Sequence, residues 1–323
     1  MGLTEWVFLF FLCLCSSSIN SKPTAKHHVT ANDRPIIGIL TMIVMDKDLK
    51  PFGETFIAAS YVKYMESGGC RVVPIKLTLT DSEYENIFNK INGLLLIGGA
   101  IDIETSEFAR VAKIFYKLAL EANNKGDYFP IWGTCLGMQL LTALVAGKDL
   151  LSITPAENDM MPLNLTQEAY TSNMFADFPS DMLTAVAKEP LTGNFHKYGM
   201  SVTTFQGNED LRSFFSILST NMAHNGVEFI STFEGKKYPF YGVQWHPEVS
   251  CYKWSRNKNV PHSPNAVRLT ALLAGFFVNE GRRSLHRFDD IEEEEAALIY
   301  NYQPVFIGNI SGHEQAYFFR NST

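Results

Sequence analysis

A cysteine flanked by glycines is the strongest sign of chemistry in this sequence. Gly133-Thr134-Cys135-Leu136-Gly137 lies between two apolar segments, 128–132 and 138–145. Small residues on both sides of a nucleophile let a strand turn sharply into a helix and expose the nucleophile at the turn. The N–H groups and dipole of such a helix favour the reactive thiolate. The pattern predicts a nucleophile at Cys135, although a buried structural cysteine beside incidental glycines also fits it.

A second motif supplies a base for this nucleophile. His246-Pro247-Glu248 directly follows the apolar segment 238–245, a predicted strand, and so lies at its carboxyl end. The carboxyl ends of strands border the ligand crevice of an open α/β sheet. A carboxylate that orients a histidine, which in turn activates a cysteine, forms a catalytic triad. We therefore expect Cys135, His246 and Glu248 to meet in space.

Backbone donors for an oxyanion are predicted as well. Gly98-Gly99 follows the apolar segment 93–97 and is suited to lending a backbone N–H to a substrate oxygen. The N–H of Leu136, directly after the nucleophile, is a further donor. We expect an oxyanion hole formed by Gly98, Gly99 and Leu136.

The other cysteines and histidines predict no second site. Cys70 and Cys251 lie in no such turn and are expected to be packing residues. His313-Glu314 begins like the zinc motif H-E-x-x-H, but Tyr317 occupies the position of the second histidine. The sequence contains no C-x-x-C, P-loop or G-x-G-x-x-G motif. We expect no metal and no other cofactor.

Short apolar segments that alternate with helical patterns must position these residues. This alternation is typical of an α/β fold with a parallel sheet. Thr80-Asp81-Ser82-Glu83 matches a capping box at the start of one helix. Predicted strands cover 35–40, 72–75, 93–97, 128–132 and 238–245, and strands of an antiparallel or mixed portion cover 183–187, 201–205 and 229–233. Predicted helices cover 56–67, 80–91, 108–122, 138–145 and 265–278.

Composition and charge bound the domain organisation and the partners. The chain has 323 residues, 46% hydrophobic and 19% charged, which is enough apolar material for a sizeable core. A net charge of −7 without a continuous basic run makes nucleic acid an unexpected partner. We expect one continuous domain over 34–280 with insertions. The acidic extension 281–323 has six acids within 289–295, interpreted as a solvated helix face or linker, and is expected to pack on the same domain.

The N-terminal segment and the sequons predict a secretory route. An apolar run over 6–15, followed by three serines, suits a signal peptide over 1–20 and is too short to span a membrane. A core helix is the alternative, but the polar leader 21–33 that follows gives it no amphipathic partner. Removal of the signal leaves three cysteines, too few for a disulfide framework. No later apolar segment reaches membrane length, so we expect the mature protein to be soluble. The candidate glycosylation sites are Asn164, Asn309 and Asn321.

Together the motifs resemble the class I glutamine amidotransferase superfamily. There the nucleophile lies in G-x-C-x-G-x-Q, completed here by Gln139, and its base lies in H-P-E. Within the superfamily the chain is similar to the γ-glutamyl hydrolase family over nearly all of its mature length. The resemblance implies a three-layer, flavodoxin-like α/β fold, whose mostly parallel central sheet has helices on both faces. The similar segments are 35–40, 97–100, 132–139, 194–197 and 242–248.

This resemblance also implies an activity. The family cleaves the γ-glutamyl bonds of folate and antifolate poly-γ-glutamates through a cysteine acyl-enzyme. The resemblance further implies a glycosylated homodimer that is lysosomal or secreted. Carried over, Cys135 is the nucleophile, His246 its base and acid, and Glu248 the group that orients His246. His196 matches a histidine near the substrate, and Asn164 a glycosylated position. The long acidic C-terminal extension departs from the family pattern.

Two other functions fit the same motifs. A glutamine side chain and a γ-glutamyl peptide share the same acyl half, so an amidotransferase-type glutaminase is one alternative. Such enzymes need a synthase partner, usually in the cytosol, whereas this chain has a predicted signal and no synthase-like portion. A catalytically inactive binding protein on the same fold is the other alternative, which the intact cysteine, histidine and glutamate disfavour.

The charge of the implied substrate sets a requirement on the cleft. A γ-linked polyglutamate is a polyanion and the chain carries a net charge of −7, so the cleft itself must supply cations or N–H donors. His196 and Lys197 are the nearest candidates in the sequence. With an ordinary pKa of ~6.5, His196 would be protonated in an acidic lysosome and could bind a carboxylate. A histidine that only holds a loop is an equally weighted alternative.

Overall fold

The computed structural model describes residues 31–320. The predicted signal peptide, most of the polar leader and Asn321 lie outside the described residues. The strands are, in chain order, β1 (Ile36–Leu40), β2 (Met42–Ile43), β3 (Thr55–Ala58), β4 (Arg71–Ile75), β5 (Leu94–Leu96), β6 (Ile131–Thr134), β7 (Ser152–Met161), β8 (Asn164–Leu165), β9 (Thr192–Gly199), β10 (Phe215–Met222), β11 (Glu228–Gly235), β12 (Phe240–Val243), β13 (Val305–Phe306) and β14 (Gln315–Phe319). The α-helices are α1 (Ala59–Ser67), α2 (Asp81–Phe88), α3 (Glu107–Asn124), α4 (Leu136–Ala146), α5 (Ser180–Lys188), α6 (Val202–Gly207), α7 (Glu209–Phe214), α8 (Val249–Tyr252), α9 (Pro264–Gly281) and α10 (Ile291–Ala297).

The central sheet places the two catalytic motifs side by side. Its eight strands have the order β4-β1-β5-β6-β12-β11-β10-β8. The pairs from β4 to β12 are parallel, and those from β12 to β8 are antiparallel. Val243 at the end of β12 lies opposite Thr134 at the end of β6. The residues that follow these strands, Cys135 and His246, therefore come to the same edge, and the prediction of a mostly parallel sheet is confirmed.

Helices cover both faces of this sheet. One set consists of α1, α5, α8 and α9, and the other of α2, α3, α4 and α7. Within each set, every helix packs against at least one other helix of the same set. Side chains alternate along β1, where Ile37 approaches Gly281 of α9 and Gly38 approaches Ile91, just after α2. The three-layer prediction is thus confirmed. Within residues 31–320, no helix combines the length and the apolar character that a membrane span requires.

Several element boundaries differ from the sequence-based expectation. The capping box is confirmed, because the hydroxyl of Thr80 accepts the N–H of Glu83 and the carboxylate of Glu83 accepts the N–H of Thr80. The strand predicted to begin at 128 begins at Ile131. The helix predicted from 56 begins at Ala59, because the residues before it form β3 in a small peripheral sheet. Long-range pairing therefore shifts the ends of elements that are correct in type.

Two predicted strands are helices, so these predictions were wrong. The segment 183–187 lies in α5, which buries Met182, Ala185 and Val186 at helical spacing. The segment 201–205 falls largely in α6, where the side chain of Ser201 caps the helix. Short apolar segments fit either structure, and their tertiary partners decide between them.

The C-terminal extension is docked on the domain at two places. Its strand β14 is hydrogen-bonded to β3 in an antiparallel sheet of order β13-β14-β3-β2. Its acidic helix α10 forms ion pairs from Glu294 to Arg71 and from Glu293 to Lys90. Asp290 caps the same helix through the N–H groups of its first turn. The acidic run is therefore only partly a solvated face, because two of its carboxylates bind the domain.

Candidate active site

The turn between β6 and α4 has the geometry of a nucleophile elbow. Cys135 has a φ of +51° and a ψ of −106°, a backbone conformation rare outside glycine. A Cβ on Gly133 would lie 2.5 Å from the carbonyl carbon of Gly137, and one on Gly137 would lie 2.1 Å from the oxygen of Leu96. Both glycines are needed because helix and strands touch there. The elbow brings Cys135 to the start of α4, as expected.

His246 and Glu248 form an ion pair beside this cysteine. Nδ1 of His246 donates to Oε1 of Glu248 over 2.7 Å, and Glu248 is buried while His246 is partly buried. Burial lowers the pKa of His246, but the charges of Glu248 and Cys135 and hydrogen bonds to both outweigh it and raise the pKa to about 10. His246 is therefore an imidazolium at neutral pH, with Cys135 as its second partner.

The N–H of Gly98 is already used inside the protein. It donates over 2.8 Å to the hydroxyl of Tyr61, a buried residue of α1 that lies 3.5 Å from Nδ1 of His246. The N–H groups of Gly99 and Leu136 donate to no carbonyl among the described residues. The two residues are neighbours, since a Cβ on Gly99 would lie 3.3 Å from Cδ2 of Leu136. Of the predicted oxyanion donors, Gly99 and Leu136 thus have a free N–H, and Gly98 is held by Tyr61.

Cys135 lies where two lobes of one cleft join. We name them the lysine lobe, of about 530 Å³, and the His196 lobe, of about 680 Å³. Cys135, Phe195 and residues 99–101 line both lobes, so a ligand can extend from one into the other past the sulfur. The lysine lobe also includes Tyr61, His246, Glu248, Lys253, Lys258 and His313. The His196 lobe also includes Leu136, Gln139, His196, Lys197 and Tyr198.

His196 reaches the cleft as predicted, but in a different charge state. It is 4% exposed, neither ring nitrogen makes a hydrogen bond among the described residues, and its ring packs edge-on to Phe229. Burial, together with the positive charge of His246, lowers its pKa to about 4. The condition for a protonated His196 in an acidic compartment, an ordinary pKa of ~6.5, is therefore not met. His196 presents a neutral imidazole to a ligand above about pH 4.

Lys197 is the weaker of the two cation candidates. Its side chain is 67% exposed at the edge of the His196 lobe and lies 3.6 Å from Oε1 of Glu157. A solvated lysine with its own carboxylate offers little unpaired charge to a substrate. The structure brings His196 and Lys197 to one lobe, yet leaves that lobe without an unpaired buried cation.

Comparison with known proteins decides the family. A family model described as Peptidase C26 matches residues 35–248. The γ-glutamyl hydrolase of Homo sapiens is 48% identical over 308 residues, which cover 95% of this chain and 96% of that protein. This chain belongs to the γ-glutamyl hydrolase family. The family prediction made from the G-x-C-x-G-x-Q and H-P-E motifs is confirmed.

Other members of the family are similar over most of the chain, and a solved structure aligns with part of it. The γ-glutamyl hydrolase of Bos taurus is 49% identical over 88% of this chain and 90% of its own length. γ-Glutamyl hydrolase B of Dictyostelium discoideum is 41% identical over 91% of this chain and 85% of its own length. The glutaminase domain of Trypanosoma brucei CTPS with bound acivicin aligns with 76% of this chain and 93% of that domain, at 14% identity and a TM-score of 0.48.

The other cysteines of this γ-glutamyl hydrolase family member have no catalytic setting. Cys70, Cys135 and Cys251 are all free thiols. Burial raises the pKa of Cys70 to about 12, which keeps it protonated and unreactive, and burial also raises the pKa of Cys251. Among residues 31–320, no group of three or more His, Cys, Asp or Glu side chains is arranged to hold a metal ion.

Four side chains that line the cleft of this γ-glutamyl hydrolase family member were missed by the sequence motifs. All four lie in the lysine lobe, although they come from distant parts of the chain. Tyr61 belongs to α1, Lys253 directly follows α8, Lys258 lies in the loop after it, and His313 belongs to the C-terminal extension. None belongs to a motif with a recognisable spacing. Burial lowers the pKa of His313 to about 4, together with the charge of Lys253. The extension thus supplies part of the catalytic cleft.

Two of the predicted glycosylation sites, Asn164 and Asn309, lie on the surface of the described residues. Asn164 is exposed on β8, at the far edge of the central sheet. Asn309 is exposed in a turn of the C-terminal extension, next to Ile310, which lines the lysine lobe. Asn321 lies outside the described residues.

Proposed function

We propose that this chain hydrolyses the γ-glutamyl bonds of folate and antifolate poly-γ-glutamates. By family it is a cysteine hydrolase that acts on γ-glutamyl bonds, and a polyglutamate is its substrate. The convergence of Cys135, His246 and Glu248 at the carboxyl ends of β6 and β12 carries the proposal. That folate is the acyl end of the substrate rests on the family resemblance.

In the proposed acyl-enzyme mechanism each of these residues has a step. The Cys135 thiolate attacks the γ-carbonyl carbon, and the resulting oxyanion accepts the N–H groups of Gly99 and Leu136. His246 gives its proton to the leaving nitrogen as the carbon–nitrogen bond breaks, which leaves a thioester and a free amine. Glu248 holds Nδ1 of His246, so the other ring nitrogen faces the reacting atoms.

Water completes the turnover with the same residues. His246, now neutral, takes one proton from a water molecule, and the hydroxide adds to the thioester carbon. Collapse of this second tetrahedral intermediate expels the thiolate and releases the γ-carboxylic acid. Cys135 and His246 return to the thiolate–imidazolium pair, so no other acid or base is consumed.

Assay of two substrates separates this proposal from its alternatives. The purified protein is incubated with glutamine and with a pteroyl poly-γ-glutamate, and released ammonia and glutamate are both measured. Release of glutamate or short γ-glutamyl peptides from the polyglutamate supports the proposal. Ammonia from glutamine without cleavage of the polyglutamate would indicate a glutaminase. No release from either would indicate an inactive binding protein.

We further infer a secretory route to the lysosome or the extracellular space. The apolar run over 6–15 and the exposed position of Asn164 support it. Expression in eukaryotic cells should give a mature chain without its first twenty or so residues and with a glycan on Asn164. An N-terminus at Met1 together with no endoglycosidase shift would contradict this route.

A homodimer is the assembly that the family resemblance implies, and we propose it for this chain. The described residues include exposed apolar side chains on the β7–β9 ribbon, such as Ile153 and Tyr198, which are compatible with an interface. Sedimentation equilibrium of the purified protein measures the mass directly. A monomeric mass at micromolar concentrations would contradict the proposal.

A further inference from the structure

Two lysines of the lysine lobe approach the same aromatic ring. Lys253 is 8% exposed, and its Nζ lies 5.0 Å from the ring centroid of Phe195. Lys258 approaches the same ring at 5.8 Å. In the part of the chain that the structure describes, neither ammonium forms an ion pair within 4.0 Å or a hydrogen bond. Both lysines also border Gly312, where a Cβ would lie 3.9 Å from each side chain.

The two carboxylates whose charges act on Lys253 form hydrogen bonds with other groups. Glu248 and Glu314 both act on Lys253 electrostatically, but Glu248 accepts from His246 and Glu314 accepts the backbone N–H of Trp254 over 2.6 Å. A largely buried ammonium without a hydrogen-bond acceptor is unfavourable, and an aromatic face offsets only part of its desolvation. Asp46 and Glu248 also line the lobe, but among the described residues no carboxylate lies within ion-pair distance of either ammonium, so both lysines remain available to a ligand.

The position of His246 shows which part of a substrate enters this lobe. His246 lines the lysine lobe and not the His196 lobe. Since His246 protonates the leaving nitrogen, the departing amine lies on the lysine side of Cys135, and the acyl half extends into the His196 lobe. In a γ-linked chain the departing amine belongs to a glutamate, whose α-carboxylate is attached to the carbon next to that nitrogen.

We propose that Lys253 and Lys258 bind the α-carboxylate of the leaving glutamate. This inference rests on the proposed function and adds the element that distinguishes a γ-glutamyl peptide from glutamine, because ammonia has no carboxylate. A charged pair at the leaving-group side also lets an acidic protein bind a polyanion through a local field. The selectivity for peptide over amide thus depends on the two lysines of the lysine lobe and not on the triad residues that also line it.

The test compares two substrates that share one acyl half. One is a pteroylglutamate joined by its γ-carbonyl to glutamate, and the other is the same acyl group joined to p-nitroaniline, a neutral leaving group. Lys253→Met and Lys258→Met should each lower kcat/KM on the glutamate substrate about 10-fold or more and change it less than about 2-fold on the anilide. Lys113→Met, exposed on α3, is the matched control and should change neither value.

The possible results separate this inference from the proposed function. Equal losses on both substrates, or no loss on either, would overturn the lysine subsite while leaving the hydrolase assignment intact. A wild-type protein that cleaves neither substrate would overturn the proposed function, and the subsite with it. If Lys253→Met folds poorly, the kcat/KM values of Lys258→Met on the two substrates decide the test, because Lys258 is exposed. Recovery of kcat/KM on the glutamate substrate by Lys253→Arg would support a role for the positive charge.

Discussion

The hydroxyl of Tyr61 accepts the backbone N–H of Gly98 at 2.8 Å and lies 3.5 Å from Nδ1 of His246. One side chain of α1 thereby connects the loop after β5 with the catalytic histidine. Burial raises the pKa of Tyr61, and the charge of Glu248 adds to this effect, so the hydroxyl stays neutral. We infer that Tyr61 is a positioning residue, because it holds the backbone next to the oxyanion donor Gly99 in place beside the base.

Gly98→Ala tests how tightly this corner is packed. A Cβ there would lie 2.7 Å from the Tyr61 hydroxyl and 2.8 Å from Cε1 of His246, so one of them must move. We expect kcat to fall on the order of 10- to 100-fold, because small displacements of a catalytic group are costly. Gly275→Ala in α9 is the control, since its Cβ would meet nothing within 4 Å. Wild-type kcat in Gly98→Ala would contradict the positioning role.

Cys135→Ala should abolish turnover while folding and substrate binding survive. Loss of the nucleophile removes the acyl-enzyme route, and we expect kcat to fall at least about 1,000-fold. Cys70→Ser and Cys251→Ser are the controls, and each should cost stability at most, since neither thiol lines the cleft near His246. Rates, melting temperatures and binding of a polyglutamate are measured for all three. Substantial hydrolysis by Cys135→Ala would refute the assignment.

The His246–Glu248 pair predicts a loss of stability at alkaline pH. The pKa of His246 is raised to about 10 in the folded state from about 6.5 in the unfolded state, so its stabilisation is complete below pH 6.5 and is lost as the pH rises towards 10. Glu248→Gln removes the charge that raises this pKa. Urea unfolding from pH 6 to pH 10 should give a shallower decline for Glu248→Gln than for the wild type. Equal slopes would show that the pair is not coupled.

His196 predicts the opposite trend at acid pH. Its pKa is lowered to about 4 in the folded state, so between pH 6.5 and 4 the unfolded chain binds a proton that the folded chain does not. The free energy of unfolding should therefore decrease as the pH is lowered from 6.5 to 4, by an amount on the order of a few kcal/mol. His196→Asn should reduce this acid loss, as measured by urea unfolding at pH 7, 5.5 and 4.5. An unchanged acid loss would mean that His196 is charged in the folded protein.

The same variant separates a binding role from a structural one. A neutral His196 in its lobe can still hydrogen-bond the acyl half of a substrate. If it does, His196→Asn should lower kcat/KM on di- and pentaglutamate substrates far more than it lowers the melting temperature at pH 7. If instead the variant melts early and its folded fraction turns over normally, His196 only supports the loop.

The central sheet could be predicted because its signals are local. Strands such as β1 and β5 are short, wholly apolar and followed by helical patterns, and Thr80 with Glu83 forms a capping box that depends on four consecutive residues. The segments 183–187 and 201–205 could not be assigned in the same way. Their apolar residues suit a helix or a strand, and burial against the rest of the molecule decides the outcome.

The sequence by itself determined the chemistry of the site: a cysteine in a glycine-flanked turn and a histidine with its carboxylate after a strand. These short motifs depend on neighbouring residues, and parallel pairing of β6 and β12 brings them together. Only the tertiary structure decided that Lys253, Lys258, His313 and Tyr61 share the cleft, because contacts between residues distant in the chain leave no local spacing. It alone also decided that His246 is charged and His196 neutral, because desolvation and nearby charges set a pKa.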